Sequence, residues 1–461
     1  MNSHVAWDDD PKALHFSDRD RPTDTALAGA PPQPRRRVLI SAYAVSPSRG
    51  SEPSVGWNLC VHLAHHHDVT VLCSPGEPPL RTILRDEIAE HVQQNGPIAG
   101  LTFCFVDAPP LGYFCQRESL LMRRTLYYAG YRSWQLEAYH AAVRLHAEQP
   151  FDVAHQLNIT GFREPGYLWK LPLPFVWGPV GGAANTPPSF FTMMGWKERL
   201  FYSARNVLNS VQKRTSIRCS RAAKRAGQIW TIGEEDRRLV ERVWGCDTEQ
   251  MTETGTSINV TAEAKERDVT KPLRVVWSGR HIGRKMLPIL LYALQRCRVA
   301  GTFDIELAVL GHGPETAHWQ TLAQRLGLAA CTRWTGWLPR RNAVAELASA
   351  DVLAFTGVQE GTPHVVVEAL SLGLPVICHD ACGMGAAVTG ACGIKVPLRN
   401  PQTSIEGFAA AVRQLGTDPT RFALLSAGAL QQAKELSWRS KARHIASSYE
   451  RVISARARSL A

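Results

Sequence analysis

Glu360 and Glu368 stand eight residues apart in the stretch Glu360-Gly361-Thr362-Pro363-His364-Val365-Val366-Val367-Glu368-Ala369. It reads as a turn that opens a helix. Gly361 permits a tight backbone, Thr362 can cap, and Pro363 suits a first helical position. Free amides at such a start favour an anion, phosphate above all. A fully helical path between the two carboxylates spans about 12 Å, at ~1.5 Å per residue. Carboxylates that cleave a glycosidic bond stand ~5–9.5 Å apart. The longer spacing instead suits two carboxylates gripping hydroxyls at opposite ends of a diphosphate-bridged ligand. An ordinary capped helix with one surface Glu gives the same letters.

Cations for such a bridge occur in Trp277-Ser278-Gly279-Arg280-His281-Ile282-Gly283-Arg284-Lys285. Arg280 and Lys285 follow an apolar strand and can point into a cleft. A departing nucleoside diphosphate gains negative charge as its glycosidic bond breaks. Positioned cations therefore stabilise the transition state more than the ground state. Two charge-assisted hydrogen bonds at ~1.5–3 kcal/mol each would supply a rate factor on the order of a thousand. A solvated basic turn is the plain alternative.

Elements that position these residues are visible as alternating short apolar runs and helical patterns. Val38–Ile40, Val69–Leu72, Leu101–Val106, Asp152–His155, Pro174–Trp177 and Ile229–Ile232 read as buried parallel strands. A second series covers Leu273–Trp277, Ile305–Leu310, Thr332–Thr335, Val352–Phe355 and Pro375–Cys378. Between the series, Met251–Lys271 is rich in Thr, Glu, Lys and Asp and is expected to be a linker. Two tandem βαβ arrays predict an α/β protein with two facing Rossmann-like domains, each a parallel sheet with flanking helices. The expected bounds are a disordered tail at 1–35, a first domain at 36–250, a linker at 251–271, a second domain at 272–435 and a final helix at 436–461. Ligands in open α/β sheets sit beyond the carboxyl ends of strands, which is where both motifs fall.

The bulk properties fit this picture. A chain of 461 residues with 44% hydrophobic and 20% charged residues is globular rather than disordered. No apolar run reaches the ~18–20 residues of a membrane span. The polar N-terminus, with Asp8-Asp9-Asp10, lacks the layout of a signal peptide, so a cytoplasmic location is expected. Eleven scattered cysteines without a C-x-x-C pair are expected to be reduced thiols. Cys378, His379 and Cys382 have poor spacing for zinc, and no metal or other cofactor is expected.

Taken as a set, G-R-x4-K (Gly279, Arg280, Lys285), G-x-G-P (Gly311-His312-Gly313-Pro314) and E-x7-E (Glu360, Glu368) resemble the retaining glycosyltransferases of family 4, also called group 1, which have the GT-B fold. The likeness covers about residues 271–400. It implies that Arg280 and Lys285 hold the donor diphosphate, that Glu360 holds the transferred sugar, and that Glu368 holds the ribose. It places the loop of Gly311 and Gly313, and the turn Gly336-Trp337, near the base, and it implies that residues 36–250 form the acceptor domain, that 272–435 form the nucleotide-sugar domain, and that the helix at 436–461 crosses back to the first domain. Met286 departs from it, since the family commonly has Gly there.

The first domain is less sharply similar. Ser46-Pro47-Ser48-Arg49-Gly50-Ser51-Glu52-Pro53 stands where the family has a glycine-rich loop near phosphates and acceptor, so Gly50, Ser51 and Glu52 are candidate binding residues. It is not G-x-G-x-x-G, which speaks against an NAD enzyme. Gly181 and Gly182, in Gly178-Pro179-Val180-Gly181-Gly182, serve either loop geometry or close approach to a ligand. His155 stands near Leu157, where family members often have a His, and is either a catalytic substitute or a core histidine. Gly361 and Thr362 complete the candidate substrate contacts.

The expected function is retaining, metal-free transfer of a sugar from a nucleoside-diphosphate sugar to a glycan or lipid-linked acceptor of a cell-surface polysaccharide. Rivals on the same fold are a sugar phosphorylase, a nucleotide-sugar epimerase and a non-catalytic binding subunit. Between Phe191 and Arg225, nine basic residues stand against one acid, Glu198, and account for most of the net charge of +11. Met193, Leu200, Ala204, Val207 and Val211 recur at helical spacing within roughly 40° of one direction. Such a helix either lies on an anionic leaflet or packs its stripe on the first domain. No nucleic-acid module is present, and none is expected as a partner.

Overall fold

The computed structural model describes residues 35–77, 80–115, 126–257, 262–301 and 303–460. The expected N-terminal tail and its Asp8-Asp9-Asp10 run lie outside these, apart from Arg35. Arg35 is already fixed to the first domain, donating to the carbonyls of Ala64 (2.9 Å) and His67 (2.7 Å).

Two parallel sheets organise the chain. The first has seven strands: β1 (Arg37–Ala42), β2 (Asp68–Cys73), β3 (Leu101–Phe105), β4 (Val153–Asn158), β5 (Phe175–Val180), β6 (Gln228–Thr231) and β7 (Glu249–Gln250), in the order β3-β2-β1-β4-β5-β6-β7. The second has six: β8 (Leu273–Ser278), β9 (Ile305–Leu310), β10 (Thr332–Gly336), β11 (Val352–Phe355), β12 (Val376–His379) and β13 (Gly393–Val396), in the order β10-β9-β8-β11-β12-β13. Two of these strands were not expected from sequence. β7 is two residues long, and β13 is half-polar, Gly-Ile-Lys-Val, as an edge strand can be.

Central strands are apolar throughout because helices cover both faces. Val38, Leu39 and Ile40 of β1 and Val352, Leu353 and Ala354 of β11 are fully buried. In each sheet the strand order reverses beside the first strand, between β1 and β4 and between β8 and β11. Such switch points open a crevice for ligands. The loops after β1, β4, β8 and β11 carry the chemistry-bearing motifs.

The chain passes between the sheets through a packed segment rather than a loose one. Thr252, Thr254 and Thr256 are buried there. The Lys441 ammonium donates to the Thr252 carbonyl and to its Oγ1 (2.9 Å). Lys441 lies on the last helix, Trp438–Leu460, which returns to the first domain. That helix packs Ala442, Ile445, Tyr449 and Val452 against Val38, Ile40, Val153 and Trp230.

Candidate functional site

The loop after β8 folds back so that Lys285 and Arg284 converge on Glu360, from the loop after β11. Glu360 Oε1 lies 3.0 Å from Lys285 Nζ and 2.5 Å from Arg284 Nη1. Arg284 also donates to the Gln359 carbonyl at 2.6 Å. Burial lowers the Lys285 pKa, and the Glu360 carboxylate beside it opposes that shift. The Lys285 ammonium also sits 4.9 Å over the Phe355 ring. Arg280 differs: it is exposed, and its guanidinium has no hydrogen bond or ion pair among the described residues. A cation at a switch point with no internal partner is placed to meet an anion. Met286 closes the turn with φ 50° and is buried in the second core. That left-handed conformation explains why glycine suits this position in the similar family.

The G-x-G-P loop packs directly on the G-R turn. Gly311 has φ +108°, and any side chain on it would collide with the Gly279 carbonyl; one on Gly313 would strike His281. The glycines thus serve close backbone approach, with the Gly311 amide donating to the Gly336 carbonyl (2.8 Å). Glu368 faces elsewhere than Glu360, pairing with Arg340 at 3.1 Å. Among the described residues the two carboxylates do not share a partner.

The helix start departs from expectation. The helix is His364–Ser371 with Pro363 as its cap, so Thr362 does not cap it and its Oγ1 is buried without a partner. Nor is the Thr362 amide free: it donates to Glu253 Oε1 at 2.6 Å. Glu253 comes from the expected linker, a position that charge-rich composition gave no reason to single out. Burial raises its pKa.

In the first domain, Gly50 is open to solvent, with nothing within 4 Å of where a side chain would stand. Ser51 has φ 59°, a strained conformation for a non-glycine, and precedes Glu52 at the start of the helix Glu52–Ala64. Gly182 is exposed with φ +84°, whereas Gly181 is buried against Ile232, so loop geometry accounts for Gly181.

His155 is a correction. It is fully buried beneath the last helix, its Nε2 donating to the Gly178 carbonyl (2.7 Å) and its Nδ1 accepting from the Tyr449 hydroxyl (2.7 Å). Both nitrogens are used, so it has no free atom for an acceptor. Burial lowers its pKa to about 4. His155→Ala should therefore cost about 3 kcal/mol of stability, from two unpaired groups and a cavity, while nucleotide affinity stays unchanged. The sign with pH follows from the depressed pKa. The stabilisation is present above the unfolded value near 6.5 and lost as pH falls toward 4, so the variant's deficit should shrink there. Denaturant titrations at several pH values check this. Glu164 is likewise structural, buried between Arg132 (2.6 Å) and Arg218.

His379, which stands between Cys378 and Cys382, donates to the Gly357 carbonyl (3.1 Å) and accepts from Ser404 (2.9 Å). Among the described residues no three His, Cys, Asp or Glu side chains are grouped to hold a metal.

The basic segment forms the helices Trp196–Thr215 and Ile217–Arg225. The first is amphipathic in the inverted sense. Its apolar stripe faces solvent: Trp196, Leu200, Val207 and Val211 are 70%, 67%, 66% and 52% exposed. Its polar face is turned inward, where Asn209 donates to the Ala183 carbonyl (3.0 Å) and Asn206 to that of Thr186 (2.7 Å). The stripe therefore does not pack on the first domain. Of the nine cations, Lys213 serves the Ala183 carbonyl and Arg218 serves Glu164, while Lys197, Arg199, Arg214, Arg221 and Lys224 are exposed. No helix of the described residues is long and apolar enough to cross a membrane.

Comparison with known proteins agrees with this geometry. Residues 272–418 match the family described as Glycosyl transferases group 1. A D-inositol 3-phosphate glycosyltransferase of Corynebacterium kroppenstedtii is 28% identical over 202 residues, 41% of this chain and 44% of that one. The lipopolysaccharide core biosynthesis glycosyltransferase LpsD of Rhizobium meliloti is 32% identical over 161 residues, 33% and 42% of the two chains. The chain thus spans less than half the length of these relatives. Among solved structures, HepE of Anabaena with UDP and glucose superposes with a TM-score of 0.53 at 16% identity, covering 90% of this chain and all of that one. Sucrose-phosphate synthase of Thermosynechococcus elongatus gives 0.58 at 15%, covering 91% of this chain and 100% of that one. The described residues have the two-domain GT-B fold, and the second domain, over residues 272–418, matches the family of group 1 glycosyl transferases.

Proposed function

We propose that the protein is a glycosyltransferase that takes a sugar from a nucleoside-diphosphate donor and retains its anomeric configuration. The observation that carries this reading is the grouping of Lys285, Arg284 and Glu360 at the second switch point, with the exposed Arg280 in the same loop and without an ion pair among the described residues. On donor binding, Arg280 and Lys285 meet the diphosphate, and Glu360 turns to the hydroxyls of the sugar. Glu368, held by Arg340, lies further along the helix, on the side of the ribose. Gly50, Ser51 and Gly182 border the acceptor. Closure of the two domains excludes water and limits donor hydrolysis.

A thermal-shift panel of UDP-, GDP- and ADP-sugars tests the reading. A matching donor at 100 times its dissociation constant should add about 2.7 kcal/mol of stability. No response to any of them would count against it. Turnover should persist fully in EDTA, because side-chain cations do the work of a metal; an absolute need for magnesium would refute that part. Dependence on inorganic phosphate would mark a phosphorylase instead, and isomerisation without acceptor an epimerase.

The acceptor in this reading is a lipid-linked or membrane-proximal glycan precursor. The inverted helix Trp196–Thr215 supports it, since an exposed apolar stripe flanked by exposed cations suits an anionic leaflet. Beside it lies a groove of about 500 Å³ lined by Asn185, Val207, Val211 and Arg214, which offers room for an acyl chain under a charged head.

A further inference from the structure

We propose that a cavity between the helices Trp196–Thr215 and Glu234–Arg238 is the seat of the phosphate that joins lipid to sugar in the acceptor. The proposal rests on the lipid-linked acceptor reading and deepens it by assigning a binding site. The cavity measures about 400 Å³ and is lined by Asn185, Ser210, Lys213, Arg214, Glu235 and Arg242. It adjoins the apolar groove beside the same helix, and Asn185, Ser210 and Arg214 border both. Charge thus gathers at one end of the joined hollow, while Val207 and Val211 line the other.

Three cations in the cavity still have donors to give. Arg242, on the following turn Leu239–Trp244, is exposed and has no hydrogen bond or ion pair among the described residues. Arg214 is exposed as well, and only its Nη1 is engaged, on the Ser210 carbonyl at 3.1 Å. Lys213 gives one proton to the Ala183 carbonyl at 2.8 Å. Burial lowers the Lys213 pKa, and the Arg214 charge adds to that shift. A phosphate among the three relieves this repulsion and accepts charge-assisted hydrogen bonds from each. Arg238 stands apart, since it pairs with Glu234 at 2.9 Å.

One carboxylate shares the cavity, and a phosphate cannot use it, because both are acceptors. Glu235 Oε2 is buried there without a hydrogen-bond partner among the described residues. A sugar hydroxyl next to the phosphate supplies the missing donor. The cations, the unpartnered oxygen and the apolar groove thus match three parts of one molecule: phosphate, sugar and lipid chain. The location agrees. Asn185, which walls both hollows, lies between two residues that bond to Gln359, the neighbour of Glu360. Gln359 Nε2 donates to the Ala184 carbonyl (2.6 Å), and Thr186 Oγ1 donates to Gln359 Oε1 (2.8 Å). A sugar carried past Asn185 reaches the loop that bears Glu360.

The experiment titrates farnesyl diphosphate, farnesol and inorganic pyrophosphate into the full chain by calorimetry, with nucleoside diphosphate in a parallel arm. Wild type should bind farnesyl diphosphate more tightly than either of its halves, by roughly tenfold or more. The double variant Arg214→Ala, Arg242→Ala should weaken that binding roughly 100-fold, about tenfold for each charge-assisted bond lost. Its affinity for nucleoside diphosphate should not change. Arg280→Ala should do the reverse, which separates this cavity from the donor site. Val207→Gln with Val211→Gln should weaken farnesyl diphosphate and spare pyrophosphate. Both arginines are exposed, so the fold should hold; if the pair does not fold, either single variant reads the same loss at about tenfold. Equal affinity for pyrophosphate and farnesyl diphosphate would leave only a free-phosphate site and overturn the proposal. Undiminished binding by the arginine variants, or its loss in Arg280→Ala, would overturn it too. In each of those cases nucleoside-diphosphate binding and sugar transfer keep the glycosyltransferase reading standing; the absence of both sinks that reading, and this one with it.

Discussion

Lys285→Ala is expected to lower turnover about 100-fold, the scale on which removal of one pre-organised charge from a transition-state site acts. The melting temperature should barely move. Lys285 is one of two cations on Glu360, and Arg284 remains at 2.5 Å when the ammonium is gone. The same geometry predicts strong non-additivity. Removing Arg284 as well leaves the Glu360 carboxylate without a cation in a largely buried site, a change that costs ~3–5 kcal/mol. Adding Glu360→Gln to that double variant should restore most of the stability and none of the activity. Arg280→Ala should cut turnover without the stability effect, because its guanidinium is exposed and has no hydrogen bond or ion pair among the described residues. Denaturant unfolding and steady-state rates on the set separate these outcomes. Large destabilisation by Lys285→Ala alone would mean that the triad holds the fold together rather than the donor.

The loops after β8 and β11 were legible in sequence for a physical reason. Buried parallel strands are uninterrupted apolar runs, so strand ends can be located, and switch-point chemistry has to follow them. Gly279 to Lys285 and Glu360 to Glu368 met that condition in order. Arg284 was written in the same motif but not singled out, because spacing alone does not say that a turn aims both of two basic neighbours at one carboxylate. Glu253 was hidden for the opposite reason. A polar stretch reads as solvated, yet Glu253 is buried, with one oxygen accepting from the Thr362 amide and the Lys441 charge nearby. His155 shows the limit at a strand end, where side chains alternate between two faces. Only the return of the last helix, nearly 300 residues later, puts Tyr449 against it.

The helix Trp196–Thr215 shows another limit. Periodicity reveals a stripe but not the direction it faces, and the usual solution turns the stripe inward. Here the inward face is polar, because the loop at Ala183 to Thr186 presents carbonyls that Asn206, Asn209 and Lys213 satisfy. Once those bonds are made, the aliphatic side chains have nowhere to go but out.

The same helix also touches the loop after β8. Glu198 Oε1 accepts from the Gly283 amide at 2.9 Å, and Phe190, Met194 and Tyr202 are buried in the core of the second domain. A surface that docks on a leaflet through this helix would hold the cleft close to a membrane-bound acceptor.

The combined variant Leu200→Glu, Val207→Glu and Val211→Glu is therefore expected to abolish binding to vesicles containing phosphatidylglycerol. Each new carboxylate near an anionic surface costs about 1 kcal/mol, so three cost ~3 kcal/mol, or roughly 100-fold in affinity, before any loss of apolar contact is counted. Folding should be untouched, since all three side chains are more than half exposed. Glutamate is also a good helix former, so the helix itself should persist. Turnover of a short, water-soluble acceptor should stay at the wild-type rate, and turnover of a lipid-linked acceptor in vesicles should fall with binding. Flotation of wild type and variant, with and without phosphatidylglycerol and at two salt concentrations, measures the effect. Equal flotation of both proteins, or wild-type binding that ignores lipid charge and salt, would mean that the exposed stripe serves some other partner.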